Sequence, residues 1–236
     1  MTMNIKELLS ISVPYFIGVG ACYLFGYWGA IGINVLEFIG FADIAKLAVY
    51  PLVAGMIFTA IGAVFAELTT GMALPVGGGE HTPVGRFGRR FARPILAIVV
   101  LVILAIYAFS AEPFKWFAIS FLVMLFTAPL SHLEPIISAL PNPKVRFLLL
   151  QVALLLPTLG FAYGRLDIYL ATKLKYAKTV DVARSKLPLV SDAKFPVVYL
   201  GLLGTTFVLR ETKSGQLVLI KQKDDSPLFI IPPSGA

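Results

Sequence analysis

Charge is scarce in this 236-residue chain: acidic and basic side chains together make 14% of it, where a soluble domain carries about a quarter. With 58% apolar residues and a mean hydropathy of +0.84, that scarcity excludes a soluble globule. Disorder is excluded too, since it needs low hydrophobicity, whereas 18 Phe, 9 Tyr and 2 Trp are present. Cysteine is almost absent. Cys22 stands alone, so no intrachain disulfide can form, and with His81 and His132 the only histidines no ordinary zinc set can be assembled. A Cys-His nucleophile pair would have to use Cys22, which lies inside an apolar run. No nucleophile elbow, His-Glu-x-x-His pair or redox dicysteine occurs. The chain therefore reads as non-catalytic and implies no cofactor and no metal.

Ionisable groups are also missing from the centres of the apolar runs. Glu67, Glu112, Lys115 and Glu134 sit at their ends, and Gln151 and Thr59 are the deepest polar side chains. A charge buried in hydrocarbon is costly and usually marks a transport path, so a proton pump or ion-coupled carrier is disfavoured. The formal net charge of +7 and a pI near 9.5 would suggest nucleic acid in a soluble protein. Here the lysines and arginines flank apolar segments, where they orient helices and meet lipid head groups, so no nucleic-acid partner is expected.

What remains is a set of apolar stretches long enough to cross a bilayer, which takes about 20 residues each. Five are expected to be membrane helices: Leu8 to Ile33, Leu47 to Ala66, Ile95 to Ala111, Trp116 to Leu130, and Phe147 to Gly164. The Trp116 segment is short, and if it is re-entrant the count falls to four. Loop charge does not separate the two. With the N-terminus inside, Lys6, Arg86, Arg89, Arg90, Arg93, Lys144 and Arg146 face Lys46, Lys115, Arg165, Lys173, Lys175 and Lys178, seven against six. The first run continues through Tyr23, Leu24, Phe25 and Trp28, too far for an excised leader, so it is read as a retained span with Cys22 as a small packing residue.

Small residues recur in the first two spans. Gly18, Cys22 and Gly26 share one helix face, and Gly55 and Thr59 begin a similar one, which predicts close helix packing, on each other or on a second copy. A pore lined by the Gly18, Cys22, Gly26 face is the alternative. Gly29 and Gly32 beside Tyr27 and Trp28 read as an interfacial exit with aromatic anchors. Asn34 to Lys46 reads as an amphipathic segment in the interface, with Glu37 and Asp43 solvated. The glycine-rich stretch from Thr69 to Pro94 reads as a linker whose Arg86, Arg89, Arg90 and Arg93 hold lipid phosphates.

Beyond Gly164 the composition changes. Arg165 to Val180 predicts a helix leaving the membrane. Four short runs then predict an antiparallel sheet: Val197 to Leu202, Thr205 to Arg210, Gln216 to Lys221 and Pro227 to Ile231. So small a sheet needs to pack on the helix, the membrane or another subunit, and that need argues for a homo-oligomer, with a protein partner of the tail also expected. The expected architecture is a membrane α-helical bundle over residues 1–164, followed by a juxtamembrane helix and small β domain over 165–236. Gly26-Tyr27-Trp28-Gly29, Gly32-Ile33-Asn34, Glu37 and Asp43-Ile44, with the tail phrase Tyr199-Leu200-Gly201-Leu202-Leu203-Gly204, resemble small bacterial membrane proteins of uncharacterised activity that join a helical membrane half to a short β tail. The resemblance covers about a third of the chain. It implies this architecture and a multi-pass location in a bacterial inner membrane, and it carries over no site residue.

Overall fold

The computed structural model describes residues 5–40, 44, 83–185, 187, 189, 194–222 and 227–233. The expected span Leu47 to Ala66, with Gly55 and Thr59, lies outside the described residues, as do Asp43, Lys46 and the glycine-rich stretch up to 82. Among the described residues the chain is a mostly helical region followed by an open five-stranded antiparallel sheet, not a barrel. Two compact units are present. One joins Met1–Ala48 to Tyr163–Ala236, and the other is Val49–Ala162.

In the first unit α1 spans Ile5–Gly29 and contains Pro14. A single 3-10 turn follows at Val35–Glu37, capped by Asn34, whose side chain accepts from the Leu36 N–H and donates to Glu37 Oε1 at 2.8 Å. The sheet has the order β4-β3-β2-β1-β5, with β1 Lys178–Val180, β2 Val197–Leu203, β3 Thr206–Glu211, β4 Leu217–Lys221 and β5 Ile230–Ile231. Strand alternation divides its side chains between two clusters. Val198, Leu203 and Val208 pack with Leu24, Trp28 and Val35, while Val197, Leu209 and Val180 pack with Leu187, Leu189 and Leu228.

The second unit contains α2, Pro83–Phe109, then α3, Phe114–Leu125, α4, Thr127–Leu130, and α5, Glu134–Ala139. The last helix, α6, runs Pro143–Thr172, and the division between the units falls within it. Trp116 on α3 meets Phe161 on α6 edge-on at 4.7 Å. Pro157 lies inside α6, and the hydroxyl of the next residue, Thr158 Oγ1, donates to the Leu154 and Leu155 carbonyls.

Four expectations need correction. Arg86 to Pro94 is not linker: these residues form the first turns of α2, begun by Pro83, whose fixed φ suits a helix start. The Trp116 segment is not one helix. Pro129 cannot bond the Leu125 carbonyl, and the helix breaks there into α3 and α4. At 12 residues α3 is about 18 Å long, short of a hydrocarbon core of about 30 Å. The fifth span and the helix after it are continuous as α6, which ends at Thr172, so Lys178–Val180 is not helical but is the strand β1, paired with both β2 and β5. Trp28 is no interfacial anchor, being only 4% exposed beneath the sheet.

Among the described residues one helix is long and apolar enough to cross a membrane, Val145–Thr172, and 22% of its most apolar window is buried. Leu96–Phe109 and Phe114–Leu125 are shorter apolar helices. On α2 apolar side chains stand outward around much of the circumference, including Ile98, Leu101 at 65% and Phe109 at 89% exposure.

Candidate functional site

The phrases Gly26–Gly29 and Tyr199–Gly204 fold against each other. In β2 the pairing with β3 slips between Tyr199 and Gly201, so that Leu200 is an extra residue, a β-bulge. A bulge leaves a backbone carbonyl without its ladder partner, and the Tyr27 hydroxyl donates to the Leu200 carbonyl. Beside it Trp28 lies under Gly201, where an added Cβ would stand 3.2 Å from the indole. Gly201 has φ +151 and Gly204, in the turn to β3, has φ +60; a Cβ on Gly204 would come within 2.3 Å of the Phe38 carbonyl. Glycine is needed at both positions, for its conformation and for the close approach. Tyr27 meets Trp28 edge-on at 4.9 Å, and burial raises the phenol of Tyr199 above its ordinary value.

A second contact lies one turn earlier on α1. Gly26 is buried, and a Cβ placed on Gly164 of α6 would fall 2.1 Å from the Tyr23 carbonyl oxygen, 2.7 Å from the Tyr27 nitrogen and 3.1 Å from the Gly26 carbonyl carbon. The two backbones touch, as small residues permit. The Tyr23 hydroxyl donates to Asp167 Oδ2 at 2.7 Å, and the Tyr23 ring stacks on Tyr27 at 6.2 Å. One short section of α1 thus holds α6 and the β2–β3 hairpin through different side chains.

Of the residues singled out from sequence, Gly26 is in this contact, Cys22 is half-buried, and Gly18 is exposed with nothing within 4 Å of an added Cβ. Gly55 and Thr59 lie outside the described residues, as do Glu67 and His81. The four arginines occupy α2, where Arg86 and Arg90 are exposed and Arg90 lies over Phe91 at 5.9 Å. Their spacing of three, four and seven residues puts positions 86, 89, 90 and 93 on one face of that helix. Sequence reasoning missed Gly164 and Asp167. A glycine three positions before an acid at the end of an apolar run was the available signal.

The second unit holds a groove of about 510 Å³ lined by Leu96, Val100, Leu122, Phe126, Phe147 and Gln151 among others. Gln151 Nε2 donates to Met124 Sδ at 3.2 Å, a weak acceptor. At the start of α6, Arg146 Nη1 donates to the Leu140 carbonyl at 2.9 Å and so ties α5 to α6. Among the described residues no three His, Cys, Asp or Glu side chains stand together as metal ligands. No family model, curated protein or solved structure matches this chain.

Proposed function

We propose that the chain is a non-catalytic, multi-pass protein of a bacterial inner membrane, an oligomeric anchor, sensor or assembly module whose first helix carries a small β domain. One observation carries the reading: the Tyr199–Gly204 hairpin is seated on the end of α1 and the loop after it, through Tyr27, Trp28 and Phe38. The polar groups gathered there are occupied in holding the parts together, Tyr23 with Asp167, Tyr27 with the bulge and Asn34 with its own turn, which suits mechanical coupling rather than chemistry. The helical half, residues 1–164, sits in the bilayer, and the outward apolar side chains of α2 and α6 support lipid as their solvent. The arginine face of α2 rests on lipid phosphates.

Seating the hairpin on the far end of α1 has a topological consequence. If α1 crosses the bilayer, the loop after it lies opposite the N-terminus, and the sheet lies with that loop. The number of crossings is then odd, which supports five spans over four and makes α3 with α4 a broken crossing. The open Gly18 and half-buried Cys22 support contact between copies on that face, and the outward Leu217 and Leu219 of the edge strand β4 suit a protein partner of the tail. The test of assembly is a Gly18→Cys chain in a Cys22→Ser background, oxidised in native membranes. A disulfide-linked dimer is the expected product, and a monomer under all oxidising conditions removes the oligomer from the reading.

A further inference from the structure

We infer that the turn Lys173–Tyr176, with Lys178, docks on anionic lipid head groups and holds the β domain against the bilayer surface. The inference rests on the membrane reading of α6 and extends it to a surface to which the fold gives no other use. Lys173, Leu174, Lys175, Tyr176 and Lys178 are all exposed, Leu174 at 54% and Tyr176 at 53%.

The turn is fixed at both ends. The Tyr176 and Ala177 N–H groups both donate to the Lys173 carbonyl at 2.9 Å, and the Lys173 N–H donates to Leu170 at 3.0 Å. Ala177, 1% exposed, is buried in the core with Ile168, and β1 begins at the next residue. Leu174 and Tyr176 are therefore held outward by their neighbours' packing. The lysines are spread along the same surface, Lys173 over the Tyr169 ring at 4.8 Å and Lys175 over the Tyr176 ring at 5.6 Å. Three cations and no carboxylate fall between 173 and 178.

Position selects the partner. At 1.5 Å per residue the 30 residues of α6 cover about 45 Å, close to a bilayer measured with its head groups, so the turn emerges at the head-group surface. A basic segment directly after a spanning helix, with an aromatic and an aliphatic side chain between its lysines, is complementary to an anionic leaflet. Each lysine near such a surface contributes about a five-fold preference for it.

The test uses the full chain with Cys22→Ser, in which a fluorophore on Leu174→Cys is the only thiol adduct. Vesicles are made of phosphatidylcholine alone or with phosphatidylglycerol, each with a nitroxide on a fraction of the phosphatidylcholine head groups. Quenching at 174 should rise severalfold when phosphatidylglycerol is present, fall back in high salt, and lose its lipid dependence in a Lys173→Ser, Lys175→Ser, Lys178→Ser chain. Quenching that is weak and equal in both lipids overturns the inference. A second chain labelled at Ala153→Cys, about a third of the way along α6, separates the two readings. A water-exposed label there overturns the membrane reading itself, whereas a hydrocarbon-buried label at 153 with an unquenched one at 174 overturns only the docking of the turn.

Discussion

Replacing Gly164 by alanine adds one methyl group where two backbones meet. The new carbon would stand 2.1 Å from the Tyr23 carbonyl oxygen, whereas an unstrained carbon-to-oxygen contact lies at about 3.3 Å, so α1 and α6 must part by about 1 Å. All three obstructing atoms, in Tyr23, Gly26 and Tyr27, belong to the backbone and cannot turn aside. Overpacking of this kind costs about 1–3 kcal/mol. The same displacement pulls Tyr23 from Asp167, a hydrogen bond of 2.7 Å worth about 1 kcal/mol net. Alanine returns about 1 kcal/mol as the better helix former, which leaves a loss of about 2 kcal/mol. The assay is reversible unfolding in mixed micelles in a Trp116→Phe background, so that the buried Trp28 reports. Gly18→Ala is the control for packing within one chain: nothing of the same chain lies within 4 Å of its added carbon, and its effect on unfolding of the monomer should be neutral or slightly stabilising. If Gly164→Ala unfolds within about 0.5 kcal/mol of its parent, the close approach of the two helices is refuted.

Tyr27→Phe leaves the ring contacts and removes the hydroxyl from the Leu200 carbonyl; a loss of about 1 kcal/mol is expected in the same unfolding assay, together with faster amide exchange around the bulge. Trp28→Ala empties the space beneath Gly201 and should cost about 3–5 kcal/mol, and limited proteolysis should then cut the tail while α1 stays in the membrane. Gly204→Ala requires a positive φ and meets the Phe38 carbonyl, so it should release the hairpin to proteolysis as well, whereas Gly215→Ala, with open space around it, should strain only its own turn. Glutamine at positions 86, 89, 90 and 93 together should abolish retention on phosphatidylglycerol over phosphatidylcholine vesicles by a peptide spanning α2, and an unchanged preference would show that the arginine face has no lipid role.

The tail was legible because strand signals are local. Val197 to Leu202 and Thr205 to Arg210 are rich in β-branched, aromatic and aliphatic residues, Thr212 to Gly215 supplies a turn, and β2, β3 and β4 lie within a residue of the expected strands, while β5 keeps only the last two residues of Pro227 to Ile231. Lys178–Val180 was not legible. Three residues carry no periodicity, and they become a strand only because β2 and β5 are there to pair with them. Pro94 inside α2 and Pro129 after α3 show the same limit from the other side: one proline is carried within a helix and the other stands just beyond a break. Of the small residues singled out on α1 only Gly26 is buried, and which backbone would lie against it was not legible, since Gly164 is far away in the chain. Likewise the phrases around Tyr27 and Leu200 stood out separately, and only the fold shows that one is seated on the other.

The most direct measurement is the membrane sidedness of two reporter fusions, one after Gly79 and one after Ala236. A hairpin seated on the far end of a spanning α1 requires the tail to lie opposite the N-terminus, so with the first two spans crossing, the reporters should report opposite sides. Reporters on the same side would mean an even number of crossings between the two positions, and a β domain that cannot rest on the end of α1 while that helix spans the bilayer.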